Sequence, residues 1–331
     1  MKRLLFVILA AALFWSGYWL IGSRGAEAGF ATWFEARRTE GWQADYSNLR
    51  VAGFPNRFDT TFTDLALADP TTGWAWRAPF FQLLALSYKP TQVIAVFPPQ
   101  SQLSTPLDRF TLASADMRAS LALDPAPRLP LNRATLIGTQ IRITGTEVTE
   151  LDSLTLATER LPGTDHGYRY GALAHGVRLP TPLVARLARG IALPDQIATL
   201  QLDFDGDFDR PWDLDALEHA RPQVERLKLR LLKAEWGSLK LAATGELTVD
   251  GAGTPTGEIA IKAENWRDML RVAVAAGALP ESLASSVETA LELAANLSGR
   301  PDTLNVTLGF SGGRIHLGPV PLGPAPVLRL R

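Results

Sequence analysis

The chain has 331 residues, with 33 basic against 34 acidic side chains, a hydrophobic fraction of 46% and no cysteine. Near-neutral charge without a Lys/Arg run excludes a nucleic-acid footprint. The missing thiol excludes disulfides, thiolate nucleophiles and Cys-ligated metals, so a chain of this length holds together by burial alone.

Residues 4–21 (LLFVILAAALFWSGYWLI) are eighteen residues without a formal charge, preceded by Lys2 and Arg3. As a helix they reach about 27 Å, close to the hydrocarbon thickness of a bilayer. Trp15, Tyr18 and Trp19 gather at the far end, where amphipathic rings favour the membrane–water interface. A secretory signal with cleavage at Ala26-Glu27-Ala28 competes with an uncleaved signal anchor. The run exceeds the about 7–15 apolar residues that a signal needs, which favours the anchor. The expectation is a single pass through a bacterial inner membrane. The remainder, 31 basic against 34 acidic residues, then lies in the periplasm.

Residues 22–40 continue helically, with Phe30, Trp33, Phe34 and Arg37 at helical spacing, and Gly41 ends the helix. From Trp42 the period changes to two. Residues 42–51 read as a strand and residues 53–56 as a turn. Phe58, Thr60 and Phe62 alternate and give way to Leu65 and Leu67, a one-residue slip that predicts a bulge near Thr63 and Asp64. Trp74 and Trp76 share a strand face. Residues 80–88 and 92–97 are apolar on both faces, as a strand covered on both sides is. Shorter strands are expected over 110–117, 119–123, 134–142 and 151–157.

Residues 161–167 form a break. Helices are expected over 181–191 and 211–220, the latter opened by Pro211 and Asp213. Strands follow around Leu200–Phe204 and Leu227–Leu231, and over 239–241, 246–249 and 258–263. Two further helices begin near Trp266 and Pro280. The chain closes with a hairpin around Ser311-Gly312-Gly313 and a Pro/Gly-rich tail able to form neither helix nor central strand. The fold class is therefore mainly β with minor α: a transmembrane helix, then an extended, curved antiparallel β body with a few short helices. Its domains are residues 1–21 as anchor, 22–41 as juxtamembrane helix, and 42–160 and 161–331 as two β regions.

Residues 53–58 (GFPNRF), the block 74–99 and residues 313–324 (GRIHLGPVPLGP) resemble a bacterial envelope family catalogued as domain of unknown function 2125. That family has no assigned activity, so the resemblance supplies no catalytic residues. Residues 245–251 and 256–261 look like the strand–turn–strand units of AsmA-like inner-membrane proteins. That likeness implies long curved sheets with an apolar interior, and several such proteins are linked to lipid traffic between membranes.

Motifs for chemistry are missing. Asp203, Asp205, Asp207 and Asp209 alternate as a calcium loop does, but its sixth and twelfth positions hold Phe208 and Leu214 instead of Gly and an acid. Period two already accounts for them, with Leu200, Leu202 and Phe204 inward and the acids in water. His166, His175, His219 and His316 are isolated, and there is no HExxH, GxSxG elbow or phosphate loop. No enzymatic activity, metal or cofactor is expected. The positive signal is the pair of two-sided apolar strands. Either they form a central strand pair between packed layers, or one face, with Phe81, Leu83, Ala85, Val93, Ala95 and Phe97, lines an apolar groove for an acyl chain. Trp42, Trp74 and Trp76 are then candidates for its rim. The expected partners are inner-membrane lipids. The alternative is a scaffold for an envelope complex acting through sheet edges or residues 318–331, and an unrecognised hydrolase is the third reading.

Overall fold

The fold was read from a computed structural model that describes residues 2–188, 190–297 and 301–330. The chain forms two compact units, Met1–Pro125 with Ala134–Val148, and Ala126–Arg133 with Thr149–Arg331. The expected break at residues 161–167 is a turn inside the second unit, joining two paired strands.

The first unit opens with α1 (Lys2–Thr39), so the apolar run and the juxtamembrane stretch are one continuous helix. Arg37 and Arg38 sit in its last turn, where cations complement the carbonyl end of the helix dipole. Gly41 at φ +90° closes it while the Trp42 N–H returns to the Arg37 carbonyl at 3.0 Å. The strands are β1 (Gln43–Asp45), β2 (Asn48–Ala52), β3 (Arg57–Asp69), β4 (Trp74–Leu86), β5 (Lys89–Val96), β6 (Gln100–Ser104), β7 (Arg109–Ala113), β8 (Asp116–Leu123) and β9 (Leu131–Thr144). β3 is central: β1 and β2 share one of its edges in a single register, and β4 takes the other. β4 in turn pairs with β5 near its end and with β6 near its start. β5–β8, β6–β7 and β7–β9 also pair, all antiparallel.

Two expected strands divide. The run over 42–51 breaks at Tyr46 and Ser47, where the Ser47 hydroxyl bonds the Asp64 carboxylate at 2.8 Å. The run over 110–117 breaks at Ser114 and Ala115, whose N–H groups bond the carbonyls of Pro99 and Thr139 instead of continuing one ladder.

The second unit is an antiparallel meander in which each strand pairs with the next. It runs β10 (Val148–Arg160), β11 (Gly167–Arg178), β12 (Gln196–Phe208), β13 (Val224–Trp236), β14 (Leu239–Val249), β15 (Pro255–Glu264), β16 (Thr303–Ser311), β17 (Arg314–Leu317) and β18 (Val320–Pro324). Its connections carry α2 (Thr181–Ala188), α3 (Leu214–Glu218), α4 (Trp266–Ala275) and α5 (Glu281–Leu297). α2 stops before the expected Ile191. Arg189 lies outside the described residues and Gly190 has left the helical backbone at φ +89°. α3 is shorter than expected because Asp213, not Pro211, sets its start: the Asp213 side chain accepts from the Ala216 N–H at 3.0 Å. α4 and α5 cover the sheet through a core of Trp266, Val287, Leu291 and Ala295 against Ala263 and Leu304. The predicted acid alternation on β12 becomes an ion-pair ladder, with Asp203 bonded to Arg169, Asp205 to Arg230, and Asp207 facing Arg226.

Candidate functional site

In the first unit, α1 and the sheet are drawn together at two levels and stand apart between them. At the lower level, near the end of the apolar run, Gly22 lets the Phe58 ring reach the helix backbone, and the Trp19 ring lies 6.2 Å from that of Phe58. At the upper level, Phe34, Phe62, Leu65, Ala44 and Ala78 form a buried core. Phe34 is in edge contact with Tyr46 at 4.8 Å, and Phe30 with Phe62 at 5.3 Å. Between these clamps Ala26 and Gly29 replace larger side chains on the helix, and a cavity of about 630 Å³ opens.

Its helical wall is Ala26, Gly29, Phe30, Trp33 and Phe34, one face at helical spacing. Its sheet wall consists of cross-strand pairs of β3 and β4: Phe58 with Ala85, Thr60 with Leu83, Phe62 with Phe81, and Leu67 with Trp76. Pro90 and Val93 extend it onto β5. The wall stays continuous because both strands change phase at one level. Asp64, at φ +50°, lies between the pairs Thr63–Phe80 and Leu65–Ala78, so Phe58, Thr60 and Phe62 below it share a face with Leu65 and Leu67 above. The change of face is the one the sequence pattern predicts at Thr63 and Asp64, but it is not the expected bulge: β3 and β4 keep one register across it, because both strands turn over together. The lining holds no charged side chain and one hydroxyl, that of Thr60. The rest of the lining is hydrocarbon and aromatic, the indoles of Trp33 and Trp76 included.

Of the groove residues proposed from sequence, Phe81, Leu83, Ala85 and Val93 are in the wall, as is Trp76 from the proposed rim. Phe97 is outside the lining but packs beside it, 5.3 Å from the Phe81 ring and 6.0 Å from that of Trp76, and Ala95 pairs with Leu83 across β4 and β5. Trp42 packs on the upper aromatic core, and Trp74 is exposed at the turn end of β4. Sequence reasoning missed the helical wall and the β3 half of the sheet wall. The spacing of Ala26, Gly29, Phe30 and Trp33 was the available signal, since small residues beside aromatic ones on one helix face mark where a gap is lined.

Below the cavity, α1 has a helix face of a different kind. Trp15 Nε1 donates to the Pro55 carbonyl at 2.9 Å, the Tyr18 hydroxyl to the Ser87 carbonyl at 2.6 Å, and Trp19 Nε1 to the Arg57 carbonyl at 2.8 Å. The β2–β3 and β4–β5 turns are thereby fastened to the helix. Residues 2–14 are exposed throughout, and α1 is long and apolar enough to cross a membrane.

In the second unit the burial of Tyr170, stacked on Phe204 at 4.9 Å, pushes its phenol up to about 12. Hydrogen bonding from Arg169 holds the Asp203 carboxyl below its ordinary value. Both have structural reasons within the sheet. Among the described residues no group of three or more His, Asp or Glu side chains could hold a metal ion. The Pro/Gly-rich tail forms the edge strand β18 and then returns to its own unit: the Leu328 N–H bonds the Gly253 carbonyl at 2.8 Å, and Gln223 bonds Leu330 in both directions.

No curated protein and no solved structure matches the chain. The sequence model of one bacterial family matches from the end of the apolar run to the tail, and on that extent the chain belongs to the family described as uncharacterized protein conserved in bacteria (DUF2125), matched over residues 19–326.

Proposed function

We propose that this is a single-pass inner-membrane protein with its β units in the periplasm, and that it binds the acyl chain of a membrane lipid between α1 and the β3–β4–β5 sheet, without catalysing a reaction. The observation that carries the reading is the cavity: about 630 Å³ walled by hydrocarbon and aromatic surface, on the same helix that can cross a membrane. The volume falls within the about 300–1,000 Å³ of small-molecule sites. Each methylene transferred into such a site gains about 0.8 kcal/mol. A chain leaving a bilayer gives up a comparable environment, so a groove of this kind holds lipid reversibly.

Scaffolding through the tail is the weaker reading, because residues 325–330 are hydrogen-bonded to turns of their own unit. The test is recovery of lipid with the full chain. Protein purified in mild detergent, extracted and analysed by mass spectrometry should carry lipid. Leu83→Lys should lose it, because an ammonium in that wall has no counter-charge. Gln82→Lys, one residue away on the other face of β4, should retain it. Protein recovered without lipid that also fails to bind fluorescent acyl probes would remove the proposal.

A further inference from the structure

The two turns held by the aromatic residues of α1 have an unusual hydrogen-bond inventory. Turns ordinarily leave their carbonyls to water. Here the Gly53 carbonyl accepts from the Arg57 N–H at 2.8 Å, the Asn56 carbonyl from the Ser87 N–H at 2.8 Å, and the Pro55, Arg57 and Ser87 carbonyls from Trp15, Trp19 and Tyr18. Five turn carbonyls are thus bonded from within, and three of the donors are side chains of α1. Outward the turns present Phe54 and Tyr88, each 57% exposed, with Leu86 exposed beside them and Asn56 the exposed polar residue of the first tip. Basic residues follow directly, Arg57 after the first tip, exposed and paired with Asp59 at 2.9 Å, and Lys89 after the second, exposed.

Turn carbonyls bonded from within beside outward apolar side chains suit a low-dielectric surrounding, because an unpaired carbonyl there costs several kcal/mol. The depth agrees. Trp15 lies six residues before Ile21, the end of the apolar run, and six residues are about 9 Å of helix. That matches the about 5–10 Å to which interfacial apolar groups enter the headgroup and acyl boundary.

We infer that the tips of the β2–β3 and β4–β5 turns, at Phe54-Pro55 and Ser87-Tyr88, are a second membrane contact, seated in the interfacial layer beside residues 15–19 of α1, with Arg57 and Lys89 at the level of the phosphates. The inference rests on α1 crossing the bilayer, and it deepens the lipid reading. Phe58 and Ala85 belong to the same strands as these tips and line the lower end of the cavity. The cavity therefore begins where the leaflet ends, and a lipid can enter it without crossing water.

The chain has no cysteine, so single-cysteine variants label at one position. Full-length Phe54→Cys, Tyr88→Cys, Leu9→Cys and Leu107→Cys would be labelled with an environment-sensitive fluorophore. They would then be reconstituted in phosphatidylethanolamine/phosphatidylglycerol vesicles carrying nitroxide lipids. Leu107 is the aqueous reference, 97% exposed in a turn that α1 does not touch. The expected result is quenching at positions 54 and 88 roughly threefold or more above position 107, strongest with headgroup-proximal and shallow-acyl nitroxides. Quenching at 54 and 88 no greater than at 107 would overturn the inference. Leu9→Cys separates the two ideas: if it is quenched while 54 and 88 are not, the anchor stands and the second contact falls. If none of the three is quenched, both fall. Lipid recovery from the unlabelled chain reports on the groove independently of either result. Phe54 and Tyr88 lie outside the buried core, Phe54 meeting only the Trp19 ring edge-on at 5.5 Å among aromatic contacts, and circular dichroism of each variant verifies that the fold is kept.

Discussion

Gly22 of α1 and Phe58 of β3 meet so closely that a Cβ on residue 22 would lie 2.5 Å from Phe58 Cζ and 3.2 Å from Cε1. Seven residues on, a Cβ on Gly29 would meet nothing within 4 Å, although Gly29 lines the cavity. One glycine permits contact and the other leaves room. Gly22→Leu should therefore wedge the helix from the sheet and destabilise the protein by about 1–3 kcal/mol, the usual cost of overpacking. Gly29→Leu should do the reverse, stabilising by up to about 1 kcal/mol through helix propensity while filling the groove. Thermal unfolding together with lipid recovery checks the pair. Loss of stability in Gly29→Leu, or retention of lipid with it, would contradict the geometry.

Trp15 and Trp19 are worth more to the turns than to the helix. Trp15→Phe and Trp19→Phe keep an aromatic ring but remove the donors to Pro55 and Arg57. Each should cost about 1–3 kcal/mol where the carbonyl is left unpaired away from water. The signature is local: amide exchange over residues 53–59 and 86–89 should accelerate, while exchange in the second unit stays unchanged.

Tyr170 gives the second unit an alkaline limit. Its phenol is shifted from 10.0 up to about 12, chiefly by burial, so between those values the folded chain holds a proton that the unfolded chain has released. Stability is then complete below pH 10 and declines as pH rises toward 12. Tyr170→Phe removes this contribution, and its stability should fall less than that of the parent over the same interval. Denaturant midpoints measured on both sides of pH 10 decide the matter. Equal declines in the two proteins would show that Tyr170 is not responsible.

Trp266 anchors the helical cover of the second unit. It is buried, donates from Nε1 to the Pro301 carbonyl at 2.9 Å and lies under the Arg267 guanidinium at 4.5 Å. Trp266→Ala should cost about 3–5 kcal/mol. Trp266→Phe keeps much of the volume and should cost less, since the Pro301 carbonyl keeps its second donor, Arg267 Nη1 at 3.1 Å, when the indole N–H is lost. Chemical denaturation of the two variants orders them, and a Phe variant as unstable as the Ala variant would place the energy in the hydrogen bond instead of the packing.

Much of this architecture is local and was legible in the residues. The uncharged run over 4–21 requires no partner to be apolar, and period-two alternation marks strands whichever strands they pair with. The slip from Phe62 to Leu65 already encodes the phase change at Asp64, because a side chain's face follows from counting along its own strand. Phe81, Leu83, Ala85 and Val93 carry the apolar face of one wall by the same counting.

The opposite wall depended on tertiary structure. That Phe30 and Trp33 face β3 and β4, and that Ala26 and Gly29 leave a gap there, follows from where a continuous 38-residue helix crosses the sheet. Trp42 and Trp74 show the same limit: their types suit a rim, but registry puts one against the aromatic core and the other at an exposed turn. The donors from Trp15, Tyr18 and Trp19 span 38 to 69 residues of chain, and a hydrogen bond at that separation leaves no trace in local periodicity. By itself the sequence determined which segments are apolar and how each alternates. The tertiary structure decided which apolar faces meet and which stand apart, because a cavity depends on the distance between elements remote in the chain.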